Sequence, residues 1–124
     1  MKATDVQIGG NHYKYMVTQP IELITILECS FIQGCIIKYI SRYKAKNGAQ
    51  DIKKCIHYAE LAIQLGDKRS YRGSDYLKEV NLFIAKNKLT ILQRGIILNS
   101  LSNKYNVVIT LCKELLQIEY PEEL

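Results

Sequence analysis

The sequence predicts an all-α, mainly helical protein: a helical hairpin, preceded by an extended, β-hairpin-like segment and followed by a helical extension. Three observations predict it. Ser30 with Gln33, and Thr90 with Gln93, each form an S/T-x-x-Q capping box just ahead of an apolar run. Ile52, Cys55, Ile56, Ala59 and Ile63 recur at the spacing of one helical face. Only the opening of the chain has a pattern suited to extended structure.

The elements follow in order. Val6-Gln7-Ile8 and Tyr13 to Val17 can pair as a small hairpin across Gly9-Gly10-Asn11. Pro20 suits a first helical position, because its missing N–H would have no partner there, and IELITILE continues as a short helix stopping near Cys29. A second helix runs from Phe31 to Lys46, closed by Asn47-Gly48 as a left-handed cap. The third spans about Gln50 to Leu65 and ends at Gly66. A turn this short between two helices folds them back as an antiparallel hairpin. Tyr76, Leu77, Val80, Phe83 and Ile84 mark a fourth helix, Thr90 opens a fifth, and VVITLCKELLQI forms a last one ended before Pro121.

Gly66 to Asp75 reads GDKRSYRGSD, a polar stretch with two glycines and no apolar aliphatic residue. It divides the chain into residues 1–72, which hold the chemistry-bearing pattern, and 73–124, a helical packing or oligomerisation region. In the second part Ile91, Leu92, Ile96, Ile97, Leu98 and Leu101 cover more than one narrow stripe. Val107, Val108, Ile109, Leu111, Leu115 and Leu116 do the same, and a homo-oligomer is expected.

At 124 residues and 48% hydrophobic, the chain is long enough for a modest core. The start, MKATDVQIGG, lacks the apolar run of a signal peptide, and no window reaches the roughly 18–20 apolar residues of a membrane span. A cytoplasmic protein without a membrane partner is expected. The four cysteines follow no CxxC spacing and fall in apolar stretches, which suits free buried thiols. No metal ligands are assigned. Between Ser30 and Arg72, nine Lys or Arg face three acids, a net of +6 against +5 for the whole chain. This basic middle suggests a phosphate-bearing partner.

Lys38, Arg42 and Lys46 recur every four residues, and Tyr39 and Tyr43 form the next row. Ammonium and guanidinium groups can meet phosphate oxygens while a tyrosine face stacks on a base. The same pattern also suits a solvated face with rings covering core edges. On the third helix Lys53 and His57, and Lys54 and Tyr58, repeat the four-residue spacing. His12 lies in the glycine-flanked opening segment. Imidazole can bind phosphate or move a proton near neutral pH, and Gly9 and Gly10 allow backbone N–H groups to approach an anion.

GGNHY followed by QP, then IKYISRYKAKNG, then DIKKCIHY resembles a small phage-encoded family, over roughly residues 7–65. That family is generally described as of unknown function or as "nucleotide kinase". Some members phosphorylate deoxynucleoside monophosphates without a recognisable Walker motif. The resemblance implies a virus-encoded protein of the infected bacterial cytoplasm that handles nucleotides. Its signature maps onto Gly9, Gly10, Asn11, His12 and Tyr13 in the opening segment. On the second helix it maps onto Lys38, Tyr39, Arg42 and Tyr43, and from there onto Asn47, Gly48, Asp51, Lys54, His57 and Tyr58.

Three functions follow as expectations. The first is a nucleoside monophosphate kinase without a P-loop, since no GxxxxGK[ST] occurs, using ATP and Mg2+. In it, His12 or His57 orients or shuttles a proton, and Lys38, Arg42, Lys46 and Lys54 meet phosphates. Tyr39, Tyr43 or Tyr58 lies against the base, and Gly9, Gly10, Asn11 and Tyr13 close the site. The second is a non-catalytic protein that sequesters a nucleotide, such as a host defence signal, and needs no cofactor. The third, a nucleic-acid-binding module, ranks last, because the cations and rings sit near glycines that suggest a pocket rather than an open track.

Overall fold

The computed structural model describes residues 2–5, 18–69 and 75–123. The β-hairpin expected at residues 6–17 lies outside the described residues. Among the described residues all regular structure is helical. The order is α1 (Pro20–Ile26), α2 (Phe31–Arg42), α3 (Ala49–Leu65), α4 (Tyr76–Asn87), α5 (Ile91–Leu101) and α6 (Tyr105–Glu119). Short 3-10 turns occupy Ala3–Asp5, Tyr43–Ala45 and Pro121–Glu123.

Both capping boxes form as the sequence indicates. Ser30 Oγ accepts from Gln33 N–H, and Ser30 N–H donates to Gln33 Oε1; Thr90 and Gln93 repeat the pair. Each glutamine has a second task that its position in the sequence does not announce. Gln33 Nε2 donates to the Ser100 carbonyl at 3.1 Å, and Gln93 Nε2 donates to the Ile40 carbonyl at 2.8 Å. The start of α2 is thus tied to the end of α5, and the start of α5 to the end of α2. The two helices run antiparallel, and their own caps fix their register.

Around this pair the other helices close one hydrophobic cluster. α3 packs on α2 and α6, α6 on α5, α4 on α5 and α1 on α2. Leu23, Ile37, Ile52, Phe83, Ile97 and Leu115, one from each helix, all belong to that cluster. α1 comes close to α2 at Gly34, where an added Cβ would stand 3.2 Å from Ile24 Cγ2. The apolar face of the hairpin is therefore covered by α5 and α6 of the same chain. Of the residues that suggested a second copy, Ile96, Ile97, Leu101, Val108, Leu115 and Leu116 are buried within one chain, whereas Ile91 and Val107 stay exposed. All four cysteines are free, with Cys55 and Cys112 buried.

The end of α2 differs from the expectation. The α-helix stops at Arg42 and tightens into the 3-10 turn, with Gly48 N–H donating to the Tyr43 carbonyl at 2.8 Å. Gly48 has φ 54° and ψ −125° and caps the start of α3, so it is not a left-handed cap of α2. Only glycine adopts that conformation readily, and Tyr120 packs over the position. The cause is Tyr43, whose fully buried ring turns the chain inward while its hydroxyl donates to Glu119 Oε2 at 2.6 Å.

Candidate functional site

The outer face of the α2–α3 hairpin gathers charge around one ring. Tyr39, half-buried on α2, has Arg42 Cζ at 4.7 Å, Lys54 Nζ at 4.8 Å and Lys38 Nζ at 5.3 Å from its centroid. Each distance is within reach of a cation–π attraction. Tyr58, on α3, stacks on Tyr39 at 5.9 Å with 16° between the planes. Phe31 meets the Tyr58 ring edge-on at 6.4 Å, and the His57 ring lies 6.2 Å from it. Helical spacing explains the convergence, since positions 38, 39 and 42 of α2 face positions 54 and 58 of α3 across the hairpin.

Beneath the cations lies a carboxylate. Asp51, in the first turn of α3, is fully buried. Its Oδ2 stands 3.3 Å from Arg42 Nε and accepts from Asn47 N–H at 3.4 Å, while Oδ1 stands 3.7 Å from Lys54 Nζ. Only 11% of the Arg42 side chain is exposed, so this pair is screened little by water. The neighbouring Cys35 thiol, ahead of burial, holds the Tyr58 phenol above its ordinary pKa. Burial pushes the Cys35 thiol up in turn, so it is not a ready nucleophile.

The residues singled out from the sequence separate into three groups. Lys38, Tyr39, Arg42, Lys54 and Tyr58 come together, with His57 exposed at the edge beside Tyr58. Tyr43 and Lys46 do not join them. Tyr43 is a core residue, held above its ordinary pKa by burial and by its bond to Glu119, so its face is closed to a base. Lys46 lies past the end of α2 and is exposed, so the every-fourth-residue row stops at Arg42. Gly9, Gly10, Asn11, His12 and Tyr13 lie outside the described residues. Asp51 is the participant to which residue-level reading gave no role. Its signal was the three-residue step to Lys54, overlooked because an acid among bases reads as charge balance.

The described residues do not fit a protein-held magnesium ion. Among the described residues no three His, Cys, Asp or Glu side chains cluster in a way that could hold a metal, and Asp51 already faces two cations. No helix among them is long and apolar enough to cross a membrane.

A family model described as a protein of unknown function (DUF3310) matches residues 9–60. The span contains α1, α2 and the part of α3 up to Glu60, which holds Asp51, Lys54, His57 and Tyr58, and it stops before α4. No curated protein and no solved structure matches the chain.

Proposed function

We propose that the α2–α3 face binds a nucleotide. Lys38, Arg42 and Lys54 would hold its phosphate, and Tyr39 and Tyr58 would supply the flat surface for its base. The observation that carries this reading is the convergence of three cations on Tyr39, itself stacked with Tyr58. Charged forks and aromatic faces side by side match a ligand that is part anion and part planar ring. The resemblance to phage nucleotide kinase-like proteins supports the same ligand class and suggests a deoxynucleoside monophosphate.

Binding without turnover is the reading that the geometry favours over a kinase. Among the described residues the only carboxylate in the cluster is occupied by Arg42 and Lys54, so these residues supply no metal-holding group for phosphoryl transfer. The anti-defence reading, capture of a host nucleotide signal, rests on the same site. A homo-oligomer belongs to the proposal as well, because Ile91 and Val107 remain exposed on the C-terminal helices.

Calorimetry with each deoxynucleoside monophosphate and with cyclic dinucleotides tests the binding. A parallel incubation with ATP and Mg2+ tests turnover. Saturable binding with the ligand recovered unchanged supports the favoured reading, and new diphosphate moves it to the kinase. Binding to long single strands with a steep loss of affinity on added salt would instead assign the face to nucleic acid.

A further inference from the structure

A buried carboxylate beneath an anion-binding face poses a question of sign. Its negative charge repels that of a phosphate, so on electrostatics alone it weakens the site. Replacing it by a neutral residue would then be a gain. Yet Asp51 is placed where it reaches both cations that approach Tyr39 most closely: Arg42 through Oδ2 and Lys54 through Oδ1. The carboxylate itself is fixed by its place in the first turn of α3 and by the Asn47 N–H.

We infer that Asp51 is a positioning residue that, together with the Tyr39 ring, holds the Arg42 guanidinium and the Lys54 ammonium at the α2–α3 face ready for a phosphate. This inference rests on the nucleotide-binding reading above. The physical logic is preorganisation. Arg and Lys side chains lose considerable rotamer freedom when they close on an anion, and a site that has ordered them beforehand avoids that loss during binding. Two fixed supports are needed because neither suffices alone. A ring face attracts a cation without fixing its direction, whereas a carboxylate sets direction by ion pairing. The tight turn at Gly48 serves the arrangement by starting α3 close enough to the end of α2 for Asp51 to face Arg42.

Asp51→Asn keeps the shape and removes the charge, so it separates the two effects. Positioning predicts that affinity for inorganic phosphate and for the deoxynucleoside monophosphates falls by roughly ten-fold or more, against the sign expected from charge alone. It also predicts that the affinity lost on Arg42→Lys in the native background largely disappears in the Asp51→Asn background, because the guanidinium is no longer held there. Unchanged or tighter phosphate binding by a folded Asp51→Asn variant overturns the inference. 15N relaxation of Arg42 Nε in the native protein without ligand reads the order of the side chain and needs no variant. A rigid Nε–H vector supports the arrangement, and a mobile one overturns it even where Asp51→Asn does not fold. If the native protein binds no phosphate and no nucleotide, the functional reading fails, and the Nε order then decides separately whether Arg42 is held in place.

Discussion

Helices α2 and α5 begin alike and end differently. Ser30-Phe-Ile-Gln33 is matched by Thr90-Ile-Leu-Gln93, and Ile36-Ile37 by Ile96-Ile97, at a constant offset along the chain. In both helices the cap closes, the glutamine reaches across to the other helix, the isoleucine pair is buried and the first helical residue is exposed. At the same offset Lys38, Tyr39 and Arg42 correspond in sequence to Leu98, Asn99 and Ser102. Leu98 packs against the core, Asn99 bonds back to the Gly95 carbonyl, and Ser102 ends its helix. Cap, glutamine and isoleucines are therefore what this architecture needs from an antiparallel pair. Cations around a ring are not, since α5 completes its packing without them. The contrast is an argument for function at the α2–α3 face, where residues the fold can do without have been brought together.

The largest expected effect tests whether the second half is integral to the fold. Leu115→Ala, which empties a site on α6 facing the shared core, should cost about 2–5 kcal/mol. Denaturant unfolding checks this, and a loss confined to the C-terminal helices, with α2–α3 still folded, would break the picture of one core. Next come the glutamines. Gln33→Glu and Gln93→Glu keep the acceptor of the capping box and delete the amide that crosses to the other helix, each costing roughly 1–3 kcal/mol. Similar losses in thermal melts would confirm that the two helices are equivalent in the fold. A loss at only one would show that the likeness is confined to sequence.

At the site the halves should part. Arg42→Lys is expected to weaken phosphate binding by roughly 1–3 kcal/mol, because an ammonium cannot reproduce a fork, while keeping the positive charge opposite Asp51 and most of the stability. A melting shift with unaltered affinity would return Arg42 to the fold. The smallest effect concerns Tyr43. Tyr43→Phe removes its bond to Glu119 and should cost about 0.5–1.5 kcal/mol near neutral pH. Burial, then that bond, hold this phenol above its ordinary value, so its stabilising contribution is complete below about pH 10 and is lost as pH rises. Burial likewise pushes the Cys29 thiol up to about 11, so the alkaline decline begins as pH passes the ordinary thiol value near 9.0. Stability measured from pH 7 upward should fall in wild type and fall less steeply in Tyr43→Phe.

The sequence by itself determined the helices and their starts. Capping is a contact between residues three apart, and an amphipathic stripe repeats every turn, so both are local and can be read along the chain. The same locality fixed the break at Gly66 and the gathering of Lys38, Tyr39 and Arg42 on one helix. The likeness of SFIQGCII to TILQRGII was also there to be read, although its meaning was not. Only the tertiary structure decided that Gln33 and Gln93 bridge α2 and α5, because a glutamine's second amide bond goes wherever a carbonyl happens to lie. It also divided the two tyrosines of α2. They are four residues apart and look equivalent in sequence, yet Tyr43 falls where the chain turns into the core and Tyr39 where α3 brings Tyr58 and Lys54 alongside. Asp51 shows the same limit. A lone acid among lysines is charge balance until a second helix sets an arginine against it, and whether a charge lies in water or under a protein surface depends on packing, which no single stretch of sequence contains.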